Sequence, residues 1–415
     1  MKNIKLEQDK DLLQKMGNIK QFKLSKKEVT ITVILALLTA IEILSVDLYL
    51  PAFKAISEDL KVDIGKVQIS LSTFLGGFAV GQLVWGVLAD RFGRKLPIIA
   101  GLSIYIILSI FIISVKNIEM FWLIRFLQAF AGSAGVVVAR AIVTDVFDRT
   151  KTIKVFSLLA LIMGVTPIVA PSIGNALLQI GTWHSNFIAM GVIGLIILLL
   201  VIFFLPETHS NNNIEIKGVP KSKYQLFFLN RQFVLYTIVA SMVYGGLLVF
   251  ISNSPFLIME KGGFTGTEYS LIFGAISLGI VMGSYSINYL IKYFNNHLIV
   301  KYVSALQVLF ALLSVVSVWL QFPIIVILVF IFLYLFLLGI LLPATADLAL
   351  EPFRNDSGKA SAIFGFIQLA VTFIILTIIG LIQNNSIIPM TVTLLICSLI
   401  SLGASAMWNN KQREQ

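Results

Sequence analysis

The sequence predicts an all-α integral membrane protein with twelve transmembrane helices in two six-helix bundles. Of its 415 residues, 58% are hydrophobic and only 13% are charged. No soluble domain needs that much apolar surface. A bilayer core needs about 20 apolar residues per crossing helix, and the chain offers twelve runs of that length separated by short polar breaks.

The predicted spans fall into two groups of six. The longest polar interruption, 206–229, separates a first bundle, 29–205, from a second, 230–408. A basic segment, 1–28, and a tail, 409–415, flank the bundles. Two such halves suit a protein whose bundles rock against each other around a central site. The spans lie near residues 29–50, 67–89, 96–115, 119–143, 154–180, 184–205, 230–257, 268–291, 298–319, 322–346, 359–382 and 387–408.

The distribution of Lys and Arg predicts the orientation. The formal net charge is +10, a value that nucleic-acid-binding proteins also reach. If the N-terminus is inside, 24 of the 31 Lys and Arg residues fall on inner segments and 5 on outer loops, while Arg125 and Arg140 lie within the fourth span. That asymmetry follows the positive-inside rule. We therefore expect both termini in the cytoplasm and no nucleic-acid partner.

The first 28 residues contain eight lysines and no apolar core of signal-peptide length. We expect neither a cleaved signal nor a spanning helix there. Two alternatives remain for this segment. It is either an amphipathic helix on the inner leaflet, with its lysines facing anionic lipid, or a disordered basic tail.

The inventory of reactive side chains argues against an enzyme. The single cysteine, Cys397, excludes an internal disulfide and a cysteine-based metal site. His184, His209 and His297 are scattered without metal-ligand spacing, and the chain has no G-x-x-x-x-G-K-[ST] phosphate loop. We expect no metal and no cofactor.

Two acids, Glu42 and Asp47, fall within the first apolar span. At a rise of 1.5 Å per residue they lie about 12 Å and about 5 Å from its predicted outer end at Leu50. A charge at membrane depth costs several kcal/mol and is normally kept for ions, protons or a partner. Arg125, at similar depth in the fourth span, is the predicted counter-charge. Five helical positions rotate a side chain by about 140°, so we expect the two acids to have different partners.

The functional interpretation of Asp47, Glu42 and Arg125 is a proton-coupling group. Burial favours the protonated acid and a nearby cation opposes it, so an arginine that moves would switch proton affinity between states. The alternative for Asp47 is an interfacial acid near the outer surface. For Glu42 it is a purely structural, hydrogen-bonded acid.

Residues Gly86 to Lys95 place four charges and two glycines between two apolar runs. Gly86 is expected to let helix backbones approach closely, and Gly93 to permit a sharp reversal. The three cations of this stretch would fix the orientation. The stretch matches the signature G-x-L-[GA]-D-[RK]-x-G-[RK]-[RK] at every fixed position. On these residues the chain resembles the major facilitator superfamily of secondary transporters.

That resemblance implies a conformational latch on the inner face, formed by Gly86, Asp90, Arg91, Gly93 and Arg94. The latch would stabilise the outward-open state, with the start of the eleventh span, around 357–359, as acceptor. An acid that ends one helix is disfavoured by the dipole of that helix but favoured at the N-terminus of another. The alternative is a simple positive-inside anchor.

The segment Asp47-Leu48-Tyr49-Leu50-Pro51-Ala52 resembles the D-x-Y-L-P-A segment of the bicyclomycin and chloramphenicol resistance (Bcr/CflA) exporters, a subfamily of drug:proton antiporters. The resemblance extends over nearly all of 29–405. Further matches are the R-x-x-Q motif at 125–128, the R-A-I-V-x-D motif at 140–145, and the antiporter motif of the fifth span, with Pro167, Pro171 and Gly174. The chain departs from these patterns at Ala129 and Asn175, where glycine is usual, and at Thr144, where arginine is frequent.

Six side chains are predicted substrate contacts, because a mostly apolar pocket with few polar groups suits amphipathic organic molecules. They are Tyr49, Phe78, Gln82, Gln128, Asn253 and Gln368. Further aromatic candidates are Phe74, Phe130, Tyr244 and Phe250. The alternative for every aromatic residue is packing between helices.

These observations predict a monomeric transporter of the bacterial cytoplasmic (inner) membrane, whose partners are a small-molecule substrate, protons and the lipid bilayer. By alternating access, it would export small amphipathic, drug-like compounds in exchange for protons, with the proton gradient as its energy source. One alternative is the export of an endogenous metabolite such as a siderophore or polyamine. A different class, a non-transporting sensor or scaffold, would not need buried ionisable groups.

Overall fold

The computed structural model describes residues 25–208, 227–383 and 386–408. Twelve long helices cover most of these residues, and each is long and apolar enough to cross a membrane. They are α1 (Lys26–Asp47), α2 (Ile64–Phe92), α3 (Lys95–Phe111), α4 (Ile118–Val146), α5 (Arg149–Ile180), α6 (His184–Phe204), α7 (Arg231–Pro255), α8 (Gly266–Leu290), α9 (Asn296–Trp319), α10 (Ile324–Leu350), α11 (Ser357–Ile382) and α12 (Ile388–Ala406).

Helices α1, α4, α7, α8 and α9 each begin at a side chain that caps them. Ser25 and Glu28 form a capping box at the start of α1, and Thr265 and Glu268 form another at the start of α8. In each box a side-chain oxygen and a carboxylate satisfy backbone N–H groups that have no partner inside the helix. The predicted twelve spans are confirmed, with boundaries shifted by a few residues.

The first span is the exception. The α-helix ends at Asp47, a 3-10 turn follows at Leu50–Ala52, and a second short helix continues through Phe53–Asp59. Pro51, near the start of the 3-10 turn, has no N–H to continue a helical ladder. The predicted outer end at Leu50 was therefore wrong. Asp47 lies 12 residues before Asp59, which is about 18 Å of helical path, so it is deep in the protein.

Glycines bring helices together at equivalent places in the two bundles. A Cβ on Gly77 of α2 would overlap the carbonyl oxygen of Phe126 on α4. A Cβ on Gly283 of α8 would overlap the carbonyl oxygen of Phe336 on α10. The second and fourth helices of each bundle thus pack backbone against backbone.

The arrangement of twelve helices has two opposite faces, where the turns between helices lie. The Asp90 face carries the 90–95 turn and is the predicted cytoplasmic face. The Lys61 face carries the 60–63 turn and is the predicted outer face. Helices α2 and α11 form one seam between the bundles, and helices α5 and α8 form the other.

Both seams are closed toward the Lys61 face. In the α2–α11 seam, a Cβ on Gly65 would come within 2.9 Å of the Gly380 carbonyl oxygen, and the hydroxyls of Ser72 and Thr377 are 3.0 Å apart. Toward the Asp90 face the same seam widens, because Val87 of α2 is exposed and a Cβ on Gly365 of α11 would meet open space. The bundles therefore form a V that opens at the Asp90 face.

The predicted segments outside the bundles are mostly undescribed. Residues 1–24 of the basic segment, 209–226 of the linker and the whole tail, 409–415, lie outside the described residues. The domain boundaries at 206–229 stay a prediction, although α6 ends at Phe204 and α7 begins at Arg231.

Candidate functional site

A cavity of about 590 Å³ lies between the two bundles. Helices α1, α2 and α5 of the first bundle and α7, α8 and α10 of the second line it. Most of its wall is aliphatic or aromatic, including Tyr244 and Phe250 of α7 and Phe273 of α8. Its volume and composition are those of a site for a small organic molecule.

The two acids of α1 both line this cavity. Asp47 is 1% exposed, and among the described residues its Oδ1 atom has no hydrogen-bond partner. Glu42 lies five residues earlier, and the positive field of Arg140 acts on its carboxyl group. The cavity is wide enough to reach both sides of α1, so the acids share one site in spite of the predicted 140° separation.

Arg125 is fully buried within the first bundle. Its Nη2 donates to the carbonyl oxygen of Ser45 at 2.9 Å and its Nη1 donates to Oε1 of Gln128 at 2.6 Å. The guanidinium lies over the rings of Tyr49 and Phe74, at 4.3 and 4.4 Å from their centroids. Within the described ranges, no carboxylate lies at ion-pair distance from it.

The Arg125 contacts follow from the end of α1. The last turn of a helix leaves carbonyl oxygens without intrahelical partners and carries a partial negative charge. Arg125 binds the Ser45 carbonyl at that end, and Asn186 binds the Leu48 carbonyl at 3.1 Å. The structure thus makes Arg125 a cap of α1 and does not pair it with Asp47, so its role as the electrostatic switch stays a prediction.

None of the six predicted substrate contacts is among the lining residues of the cavity. The Tyr49 hydroxyl lies 3.1 Å from Ser70 Oγ, and Gln128 donates to Ser109 Oγ at 2.7 Å. Both residues therefore belong to the polar interior of the first bundle.

The other four predicted contacts also lie elsewhere. Phe78 is buried against Phe74, Asn253 donates to the Val249 carbonyl, and Gln368 donates to the Ala240 carbonyl. Gln82 is half-buried on α2. Of the aromatic candidates, Tyr244 and Phe250 do line the cavity. Composition alone had not shown which helix face each residue occupies.

The antiporter-motif residues lie along α5. Pro167 and Pro171 are inside this helix, and Pro167 lines the cavity. A Cβ on Gly174 would overlap the Leu48 carbonyl oxygen, so only glycine lets α5 pass this close to the break in α1.

Asn175 joins the two bundles on the Lys61 side. Its Nδ2 donates to Oγ1 of Thr267 on α8 at 3.3 Å, and a Cβ on Gly266 would overlap its Oδ1. The departure from glycine at this position therefore supplies a polar contact across the α5–α8 seam.

The 90–95 turn holds a network of charges. Arg94 donates to Asp90 at 2.6 Å and to Asp145 at 2.8 Å. Desolvation opposes its charge, but the hydrogen bonds to Asp145 and Asp90 prevail and raise the pKa of Arg94. Arg91 is exposed beside the Phe92 ring. All these partners belong to the first bundle, and the side chains at the predicted acceptor, 357–359, lie outside the described residues.

The two glycines of this turn behave differently. Gly93 has a φ of 87°, which confirms that the reversal needs a left-handed conformation. A Cβ on Gly86 would meet only Val137, at an ordinary 3.7 Å. The expected close backbone approach at Gly86 is therefore wrong, and Gly77 and Gly81 make that approach on α2 instead.

Sequence reasoning missed Glu207, just beyond α6. Its carboxylate accepts from the backbone N–H groups of Arg94 at 2.9 Å and Lys95 at 3.0 Å, at the start of α3. In return, Lys95 Nζ donates to the carbonyl oxygen of Ile202, near the end of α6, at 2.8 Å. The two helix ends therefore cap each other. The signal was an acid directly after a span, where its own helix dipole disfavours it.

The comparison with protein families decides the class. Residues 35–376 match the Major Facilitator Superfamily. The chain belongs to the major facilitator superfamily. This membership and the twelve spans make it a transporter, not an enzyme, and a multi-pass protein of the bacterial inner membrane.

Relatives within the superfamily carry drug-resistance names. The chain is 31% identical to an uncharacterized MFS-type transporter, YdgK, of Bacillus subtilis, over 90% of this chain and 94% of that protein. It is 26% identical to a bicyclomycin resistance protein homolog of Haemophilus influenzae, over 89% and 93%. It is 27% identical to the multidrug resistance protein MdtL of Shewanella oneidensis, over 86% and 90%. The predicted resemblance to bicyclomycin-type exporters is confirmed.

A solved structure confirms the fold. The crystal structure of a D-xylose-proton symporter superposes with a TM-score of 0.77 over 92% of this chain and 97% of that one, at 13% identity. At this identity the likeness concerns the fold alone. The predicted major facilitator fold is therefore confirmed.

Proposed function

We propose that this transporter exports small amphipathic organic compounds in exchange for protons by alternating access. The observation that carries the proposal is the central cavity, which places Glu42 and Asp47 against an apolar wall shared by both bundles. A titratable acid that is buried without a fixed partner is suited to bind either a proton or a cationic substrate. Relatives named for bicyclomycin and multidrug resistance support the substrate class.

Alternating access fits the closed and open ends of the seams. The bundles meet at the Lys61 face and separate at the Asp90 face. If the Asp90 face is cytoplasmic, this conformation is inward-facing and ready to receive substrate from the cell. Proton binding and substrate binding would then favour opposite-facing states. The proposal requires no cofactor, and a single chain contains the whole cavity.

The cavity chemistry separates the drug-like and metabolite alternatives. A polyamine carries ammonium groups at intervals along its chain and a siderophore carries several polar chelating groups, whereas most of this wall is apolar. Burying their polar groups there without partners would cost several kcal/mol. An amphipathic compound can instead place its charged end at the two acids and its apolar part against the apolar wall.

Orientation is testable by cysteine labelling in a Cys397→Ser protein. We expect a cysteine at Lys61 to react with impermeant reagents applied outside, and one at Lys217, in the linker, to react only with permeant reagents. The opposite pattern would place the Asp90 face outside and reverse the proposed direction of transport.

Proton exchange is tested with purified protein and with vesicles. Candidate compounds added to weakly buffered protein should release protons, and vesicles with a pH gradient should accumulate the same compounds. Binding without proton release or accumulation would favour a sensor. Accumulation that is independent of the pH gradient would refute antiport.

A further inference from the structure

We propose that a groove between α8 and α10, on the outer surface of the second bundle at the Asp90 face, binds the headgroup of an anionic phospholipid. This Lys292 groove measures about 540 Å³ and shares no lining residue with the central cavity. Its polar lining is Tyr285, Ser286, Asn288, Tyr289 and Lys292, and its apolar lining includes Phe336 of α10. The site is independent of the compound that the protein transports.

The crossing of α8 and α10 produces the groove. The two backbones touch at Gly283 and Gly339, where a Cβ on either glycine would overlap a carbonyl oxygen of the other helix. Beside this contact, Tyr285 and Tyr289 of α8 form one wall of the groove, and Phe336 of α10 belongs to the other. The two tyrosines are 78% and 63% exposed, so the groove opens on the surface of the helix pair that faces lipid.

Exposed tyrosines mark this part of the surface. Only four tyrosines of the described chain are exposed, and all lie on α8, the turn that follows it and the start of α9: Tyr285, Tyr289, Tyr293 and Tyr302. A tyrosine at the membrane interface places its ring beside acyl chains and its hydroxyl among headgroups. Exposed aromatic residues elsewhere on the Asp90 face, such as Phe92 and Phe204, have no hydroxyl. The concentration of hydroxyls indicates one preferred polar ligand here.

Lys292 supplies a positive charge to the groove. It lies just beyond the end of α8, at the end of the groove nearest the Asp90 face. The described lining residues include no acid, and no carboxylate in the described ranges lies at ion-pair distance from Lys292. The Asn288 amide and the Tyr289 hydroxyl are further hydrogen-bond donors in the lining. Such donors suit the oxygen atoms of a phosphate group.

The first bundle carries the opposite charge at the equivalent place. Asn296 donates to a carboxylate of α10 at 3.0 Å, as Arg94 donates to a carboxylate of α4 at 2.8 Å. The two donors are separated along the chain by the same number of residues as the two acceptors, so Lys292 corresponds to Asp90. Asp90 has Arg94 as its partner within the protein. An anionic lipid would give Lys292 the partner that the described part of the chain does not supply.

The polarity of the groove follows that of a phospholipid. Lys292 and Asn288 lie near the Asp90 face, whereas Tyr285 and Phe336 lie deeper along their helices. Seven residues separate Lys292 from Tyr285, which is about 10 Å of helical path. The polar layer on each side of a bilayer is about 5–7 Å thick. The groove therefore extends from the headgroups into the acyl chains, and a free phosphate would fill only its polar end.

The binding test uses a bimane probe at Met282→Cys in Cys397→Ser protein, because Met282 is 61% exposed and lies one turn deeper than Ser286 on the same face of α8. In phosphatidylcholine vesicles, quenching should require about tenfold less phosphatidylglycerol with brominated acyl chains than brominated phosphatidylcholine. Ile196→Cys is the matched control, since Ile196 is 51% exposed and, like Met282, lies eight residues before the end of its helix. Both lipids should quench this control equally. Equal quenching by both lipids at Met282→Cys would overturn the proposal.

Variants of the groove separate a specific site from a general effect of surface charge. Lys292→Gln should raise the phosphatidylglycerol concentration needed for half-quenching about tenfold, equivalent to about 1.4 kcal/mol. Lys301→Gln removes an exposed lysine of α9 outside the groove and should leave this concentration unchanged. Ser286→Trp fills the groove and should abolish the preference for phosphatidylglycerol. Equal effects of the two lysine variants would mean a general attraction of anionic lipid and overturn the site.

Two further measurements identify other occupants of the groove. Inorganic phosphate added to the vesicles should leave the quenching at Met282→Cys unchanged. If it relieves the quenching, the groove binds free phosphate and the lipid proposal is wrong. The mass of the protein in nanodiscs should be that of a single chain. A dimer that Ser286→Trp dissociates would assign the exposed tyrosines to a second copy of the chain and overturn the proposal.

Discussion

Two buried ionisable groups lie close to the end of α1, and their surroundings differ. Arg125 donates through Nη2 and Nη1 to a backbone carbonyl and an amide oxygen and lies over two aromatic rings, although its Nε has no hydrogen-bond partner among the described residues. Asp47 faces the cavity and has one oxygen without a partner among the described residues. A charge with fixed partners stabilises one arrangement, whereas a charge without them is free to exchange ligands.

The difference assigns separate tasks to the two groups. Arg125 holds the broken end of α1 in place, and its contacts lie within one bundle. Asp47 lies where the bundles meet, so its environment changes when they rock. In this conformation Arg125 is a support of α1 and Asp47 is a carboxyl group at the interface of the bundles, and the proton-coupling roles of both stay a prediction.

The largest expected effect is on transport through Asp47. Asp47→Asn removes the titratable proton and keeps the size, so accumulation driven by a pH gradient should fall to the level of empty vesicles while ligand binding persists. Glu42→Gln is the matched comparison, and it should instead change the preference for cationic over neutral compounds. If Asp47→Asn vesicles still concentrate substrate with the proton gradient, Glu42 becomes the leading coupling group.

A smaller effect is expected on stability through Arg125. Arg125→Leu leaves the Ser45 carbonyl and Gln128 Oε1 without this donor, which should lower the free energy of unfolding by about 1–3 kcal/mol. Thermal unfolding in detergent measures the loss. Arg125→Lys keeps the charge but loses the planar fork, so it should rescue stability only in part. Unchanged stability with lost transport would mean that Arg125 acts in coupling through its positive charge and not as a support of α1.

Next in size is a shift between conformations through Asn175. Asn175→Ala removes a hydrogen bond across the α5–α8 seam, worth about 1 kcal/mol, and should favour opening at the Lys61 face about fivefold. Distances between spin labels on the two bundles report this population. Thr166→Ala is the control, because the hydrogen bond of Thr166 within the described part of the chain goes to the Ile162 carbonyl of its own helix. Equal shifts in both variants would mean that the hydrogen bond from Asn175 does not hold the α5–α8 seam closed.

The smallest effect is expected at Asp90. Its side chain is 63% exposed and pairs with Arg94, so its loss costs this conformation about 0–1 kcal/mol at most. If Asp90 binds the other bundle in the opposite state, Asp90→Ala should shift the population further toward opening at the Asp90 face. The same label distances measure it. If the population does not shift, the 90–95 turn serves only as an anchor that sets the orientation in the membrane.

Sequence reasoning predicted what depends on local chemistry. Apolar length predicted the spans, Gly93 predicted the left-handed turn, and the position of Asp47 inside an apolar span marked it as unusual. Sequence reasoning failed where the hydrogen-bond partner of a residue lies far away in the sequence. The partner of Asn175 is 92 residues away, and those of Glu207 are more than 110 residues away.

Most of the cavity lining, apart from the two acids, Pro167, Tyr244 and Phe250, also escaped prediction. A polar or aromatic residue in a span is equally compatible with a bundle interior, and Gln128 and Tyr49 lie there because they support Arg125. Aliphatic residues such as Leu161 and Leu278 carry no sign of a cavity in the sequence. Only the V-shaped packing of the two bundles brings these aliphatic residues to the cavity.

The cap that Glu207 forms at the start of α3 determines where the chain can be divided into two separately expressed fragments. If the chain is divided after Thr208, the N-terminal fragment keeps the carboxylate that caps α3. A split before Pro206 leaves the N–H groups of Arg94 and Lys95 without that acceptor. Coexpressed fragments should therefore complement each other better across the later junction, so the acid just beyond α6 marks where the first half becomes self-sufficient.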